Sequence, residues 1–65
     1  MKRYLFELHC VNDTNYHHEM FECDADAMMR GREILKEGKR DKVAFMISVY
    51  GKNAAGDWKH IVSYQ

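Results

Sequence analysis

The chain contains no proline, only two cysteines, no long apolar run, and no excess of charge of either sign. Each of these absences removes a class of protein. Without proline or low-complexity stretches, and with apolar residues at 46% of the composition, the sequence reads as a folded domain and not as a disordered segment. Cys10 and Cys23 can close at most one bridge, whereas disulfide-dependent secreted domains carry roughly two to four. The opening MKRYLFELHC is basic and then apolar, but Glu7, His9 and Asn12 interrupt it before it reaches signal-peptide length. No other stretch is apolar enough to span a bilayer. A cytoplasmic protein with reduced thiols and no membrane attachment is expected.

The neutral charge conceals an uneven distribution. In residues 1–29, Lys2 and Arg3 face six acids, a net of −4, while residues 30–42 carry six basic and three acidic side chains, a net of +3. Residues 43–65 add +1. A modest basic shoulder follows an acidic start, without the strong positive balance of a general nucleic-acid binder. Sixty-five residues make one domain, spanning 1–65. A chain this short buries only about 60% of the surface exposed when unfolded, so its stability is thin and self-association would add to it.

Hydrophobic periodicity divides the chain into five elements. Tyr4 to Val11 alternates as a strand, Asn12-Asp13-Thr14-Asn15 is a cluster of turn formers, and Tyr16 to Cys23 returns. That turn sets Cys10 opposite His17, Phe6 opposite Phe21 and Tyr4 opposite Cys23 on one face, and His9 opposite His18 and Glu7 opposite Met20 on the other. Asp24 is placed to cap a helix whose apolar stripe runs through Ala27, Met28, Gly31, Ile34 and Leu35. Gly31 marks close approach of helix to sheet, and Gly38 marks the helix end. Val43 to Tyr50 and Trp58 to Tyr64 form a second hairpin around residues 51–56. Setting Tyr50 opposite Asp57 turns Val43, Phe45, Ile47, Val49, Trp58, His60, Val62 and Tyr64 toward the helix. The expected fold class is α+β, a two-layer domain of four antiparallel strands with one helix on one face.

Four histidines and two cysteines raise the question of metal. A structural zinc site draws four ligands from close pairs such as C-x₂-C or H-x₃-H, and neither occurs here. His17 and His18 are neighbours on a strand and point to opposite faces. His9 and His18 could meet across the first hairpin with Glu7 nearby, which reads as a polar cross-strand pair. No metal and no cofactor are expected. Cys10 beside His17 has the residue types of a nucleophile and its base, but both fall on the face assigned to the helix. Glycine-rich phosphate loops and nucleophile elbows are absent from the sequence. A domain this small has little room for a cleft without giving up its core. No enzymatic activity is expected.

Binding functions remain. The sheet face away from the helix is expected to carry Tyr16, His18, Met20, Met46, Tyr50 and Ile61, a concentration of apolar and aromatic side chains suited to another protein, including a second copy of the chain in a symmetric homodimer. The alternative is nucleic acid, held by Arg30, Arg32, Lys36, Lys39, Arg40 and Lys42 at the helix end and the connector 38–42.

The segment FECDADAMMRGREIL, a strand ending in an acidic start to an apolar-striped helix, together with the five-element layout, resembles very small phage and mobile-element proteins. Some anti-CRISPR inhibitors are among them. The resemblance covers the whole chain as topology. It implies a stoichiometric inhibitor or adaptor without catalysis, and it transfers no binding residue.

Overall fold

A computed structural model describes residues 1–41 and 43–65. The elements are β1 (Lys2–Cys10), β2 (Thr14–Phe21), α1 (Asp24–Arg40), β3 (Ala44–Lys52) and β4 (Trp58–Tyr64). The strands form one sheet in the order β2-β1-β3-β4 with every neighbouring pair antiparallel. The helix lies on one face, giving the two-layer α+β architecture expected from periodicity. Its 17 residues span about 26 Å, enough to carry the chain from the β2 edge back to the middle of the sheet.

The core follows from the order of the strands. Tyr4 and Phe6 of β1 and Ile47 and Val49 of β3 are fully buried, and Ala27 and Leu35 of the helix close over them. These strand residues sit at alternate positions on the two inner strands, where both flanks are covered. A Cβ built on Gly31 would stand 2.8 Å from Val49 Cγ2, so glycine is what lets the helix approach here, as expected. Gly38 departs from its expected role as a helix end. It lies buried inside α1, where an added Cβ would come within 2.6 Å of Ala44 Cβ. The helix continues to Arg40, and the Asp41 N–H donates to the Glu37 carbonyl at 3.3 Å.

The first turn forms two residues earlier than the turn-former cluster implies. His9 pairs with Thr14, and the Cys10 N–H donates to the Asp13 carbonyl at 2.9 Å. Phe6 therefore stands opposite His17, Tyr4 opposite Glu19 and Leu5 opposite His18. Moving the turn by an even number of residues keeps every side chain on its expected face and changes only its partner. Cys23, expected in the core, is exposed; it occupies the N-cap position with no side-chain cap hydrogen bond. Asp24 is the first helical residue and not the cap. Its carboxylate accepts the Tyr4 hydroxyl at 2.6 Å and lies 3.5 Å from Lys2 Nζ, tying the helix start to β1.

Two β-bulges give the larger departure. Between β1 and β3 the pairing changes from His9 opposite Met46 to Cys10 opposite Ala44, leaving Phe45 as the extra residue. Between β3 and β4 it changes from Val49 opposite Val62 to Tyr50 opposite His60, leaving Ile61 extra. One added residue inverts the in-and-out alternation beyond it. Ala44 and Ile61 consequently pack against the core, whereas Phe45, Trp58 and His60 are exposed. The second loop is closed by Asn53, whose N–H donates to the Asp57 carbonyl and whose side-chain oxygen accepts the Asp57 N–H, both at 2.9 Å. Gly56 takes the left-handed conformation there, with φ 87°.

Candidate interaction face

The sheet face opposite the helix is built from alternate residues of all four strands, modified by the two bulges. Tyr16, His18 and Met20 come from β2, Arg3, Leu5, Glu7 and His9 from β1, Phe45, Met46, Ser48, Tyr50 and Lys52 from β3, and Trp58, His60 and Ser63 from β4. Of the six side chains expected to make this face, five are on it. Ile61 is the exception, because as the extra residue of the β4 bulge it turns toward Gly51 and Tyr4 on the helix side. Phe45, Trp58 and His60 were expected under the helix and lie outside. In β4 the polarity of His60 sits poorly with a place under the helix, whereas nothing in the sequence of β3 marks Phe45.

Solvent reaches much of this face. Tyr16 is 61% exposed, Phe45 54%, Met20 48% and Trp58 37%. The indole of Trp58 and the imidazole of His18 stand with ring centroids 5.9 Å apart, although their strands are the two edges of the sheet. Lys52 Nζ lies 5.5 Å from the Trp58 ring centre, a distance at which the ring attracts the cation. The His9 and Phe45 rings are 6.3 Å apart and the Tyr50 and His60 rings 5.5 Å apart.

Polar groups between the rings satisfy one another. Glu7 Oε1 accepts the Tyr50 hydroxyl at 3.3 Å and lies 2.9 Å from His9 Nε2. Burial and then the Glu7 charge hold the Tyr50 phenol above its ordinary pKa, so it remains a neutral donor. The hydroxyl oxygens of Ser48 and Ser63 are 2.8 Å apart, and His60 Nε2 is 2.8 Å from Ser63 Oγ. A serine and histidine at that distance have the geometry of a nucleophile and its base. Here the serine is shared with Ser48, and the imidazole is braced by the Tyr50 ring instead of a carboxylate. Among the described strand residues of this face, only Glu7 brings a negative charge, and it is engaged by His9 and Tyr50.

The histidines do not converge as a ligand set. His9 is opposite Thr14 and His18 opposite Leu5, so the expected cross-strand pairing of the two does not form. His17 is exposed on the helix side, 2.8 Å from Glu19, and its ring leans on Phe6. Among the described residues no group of three or more His, Cys, Asp or Glu side chains is arranged to hold a metal ion. Cys10 and Cys23 are free thiols.

The basic residues are divided between two flanks. Arg30 bonds Glu19 of β2 at 3.2 Å and Glu33 at 3.3 Å, and these carboxylates raise its pKa. The His17 hydrogen bond, followed by Arg30, holds the Glu19 carboxyl below its ordinary value. Arg32 lies instead over the Tyr64 ring of β4, at 4.8 Å. Lys36 and Lys39 line a cleft with it, Arg40 is exposed in the last helical turn, and Lys42 lies outside the described residues. Since β2 and β4 are opposite edges, Arg30 is separated from the ridge formed by Arg32, Lys36 and Lys39.

No described helix is long and apolar enough to cross a membrane. No family model, curated protein or solved structure matches the chain.

Proposed function

We propose that this is a non-catalytic binding module that engages another protein through the sheet face opposite the helix, and that the same face pairs with itself in a symmetric homodimer. The observation carrying this reading is the outward placement of Phe45 and Trp58 by the two bulges. Both aromatics join Tyr16 and Met20 on a face where Glu7 is hydrogen-bonded with His9 and Tyr50, and Ser63 with Ser48 and His60. Aromatic and methionine side chains of this kind, with few free charges, are enriched where protein interfaces are buried. A stoichiometric inhibitor or adaptor of the phage type, acting in the cytoplasm, is the role that fits such a module. In light scattering, the wild-type chain is expected to show twice the chain mass at high concentration. Phe45→Glu and Trp58→Glu should return it to the monomer with circular dichroism unchanged. A wild-type mass that stays monomeric at millimolar concentration counts against the dimer, and a captured partner protein insensitive to both substitutions counts against the face.

The second reading is a nucleic-acid accessory domain. It is favoured by the ridge of Arg32, Lys36 and Lys39, none of which has a carboxylate within 4.0 Å among the described residues. It is weakened by the engagement of Arg30 with two glutamates. Binding of this kind would fall steeply with rising salt.

A further inference from the structure

The two edges of the sheet are not protected alike. β4 carries devices that keep an edge strand from pairing with another chain, a bulge at Ile61 and a lysine, Lys59, within its seven residues. Its far end is also flanked by α1, where Arg32 lies over the Tyr64 ring. β2 has none of these. Its eight residues, TNYHHEMF, include no lysine or proline, and they run beside β1 from Thr14 opposite His9 to Phe21 opposite Lys2 without a register shift. In an antiparallel strand, alternate residues turn their N–H and C=O groups away from the neighbour. Among the described residues, no hydrogen bond outside the strand pairing reaches the backbone of residues 14–21. Asn15, Tyr16, His17, His18 and Met20 are exposed, so a guest strand can reach this edge.

The surroundings of the edge are acidic. From Tyr4 to Met29 the chain has six carboxylates and no lysine or arginine. On the helix side of β2, Glu19 and Glu33 share Arg30, which leaves one negative charge. Glu22 and Asp26, exposed just past the end of β2, have no cation within 4.0 Å among the described residues. On the open side, Tyr16, His18 and Met20 offer two rings and a thioether.

We propose that β2 accepts an extended segment of the partner protein as an added strand, and that this segment alternates apolar residues with lysine or arginine. The proposal rests on the reading of the open face as a protein-binding surface and names how the partner docks beside it. The guest's apolar side chains lie next to Tyr16 and Met20 and its basic ones next to Glu19 and Glu22, sorted to the two sides by the strand's period of two. Main-chain hydrogen bonds supply the affinity and the flanking side chains the choice of sequence. An eight-residue guest would span about 26 Å, the length of the edge. A second copy of β2 is the poorer guest, because it would bring its own Glu19 and Glu22 to the same acidic edge.

The test uses the full chain, isotopically labelled, at a concentration where it is monomeric. Two end-capped synthetic octapeptides serve as probes, one alternating lysine with valine and the other glutamate with valine. The lysine peptide is expected to bind saturably and to slow amide exchange at alternate residues of 14–21, with β4 amides unchanged. The glutamate peptide should bind about tenfold more weakly. His17→Lys, on the exposed helix side of the edge, should weaken the lysine peptide by about threefold, and His17→Glu should tighten it by about as much, with circular dichroism unchanged in both. No saturation by the lysine peptide up to millimolar concentration, or slowed exchange confined to β4, overturns the edge. Equal affinity for the glutamate peptide overturns the basic segment. The edge and the face fail separately: if β2 amides stay unprotected while Phe45→Glu and Trp58→Glu still dissociate the dimer, the edge is overturned and the face stands. If β2 is protected while those two substitutions change nothing, the face falls and the edge stands.

Discussion

His18 and Trp58 belong to the two outermost strands of a four-stranded sheet, yet their rings lie 5.9 Å apart across the open face. Strands in a sheet are about 4.8 Å apart, so three intervals separate the backbones, and both side chains must lean inward over β1 and β3. Trp58 is the only tryptophan, which makes the contact directly observable. His18→Ala is expected to shift the emission maximum to longer wavelength and to increase quenching by acrylamide, with little change in melting temperature because the core lies on the other face. Unchanged emission in the variant would mean that the two rings do not meet in solution.

Gly38 provides a test of packing against local preference. Replacing a helical glycine with alanine ordinarily gains about 1 kcal/mol. Here the new methyl would come within 2.6 Å of Ala44 Cβ, an atom fixed to the β3 backbone. Overpacking of that kind costs about 1–3 kcal/mol, so Gly38→Ala should destabilise despite its better propensity. The double change Gly38→Ala with Ala44→Gly should recover most of the loss. Denaturant unfolding of the two variants decides it, and a single variant more stable than wild type would refute the close approach.

These two sites also indicate what could be read from the sequence. Alternation in Tyr4–Leu8 and in Ile47–Val49 was sufficient for the buried face, since both strands are internal and every second residue has to be apolar. The helix stripe was equally plain, and Gly31 was legible as a contact because a glycine on a buried stripe has few other reasons to be there. Gly38 was not, since a glycine near a helix end looks the same whether it terminates the helix or admits a neighbour. The bulges at Phe45 and Ile61 left the least trace. Each depends on how a strand meets its partner, and a single strand's pattern contains no record of the residue opposite. Periodicity thus turns Tyr16, His18, Met20, Met46 and Tyr50 to the face on which they lie, but it sets Phe45, Trp58 and His60 under the helix and Ile61 outside it.

The Tyr4–Asp24 hydrogen bond should give stability a limb at each end of the pH scale. The Tyr4 hydrogen bond, and then Lys2, hold the Asp24 carboxyl below its ordinary value. This contribution is present above the usual carboxylate range near pH ~4 and is lost as pH falls through the folded value. Burial, and then Asp24, raise the Tyr4 phenol well above its ordinary value. That contribution is complete below pH ~10 and is lost as pH rises beyond it. In urea titrations across pH, Asp24→Asn should flatten the acid limb and leave most of the alkaline limb, because burial is the larger cause of the Tyr4 shift. An acid limb of undiminished slope in the variant would show that other carboxylates account for it.

The exchange of Phe45 and Ile61 between faces yields the sharpest contrast. Under uninterrupted alternation Phe45 would be a core residue and Ile61 a surface one, so Phe45→Ala would be the costly change. With the bulges, the order reverses. Ile61 packs beside Gly51 and Tyr4, and trimming a partly buried isoleucine costs about 1–2 kcal/mol. Phe45 is 54% exposed, and its loss should cost under about 1 kcal/mol of folding stability while weakening self-association. Chemical denaturation of each variant at a concentration where the chain is monomeric separates folding from assembly. Equal or inverted costs would place the bulges, and with them the aromatic face, in error.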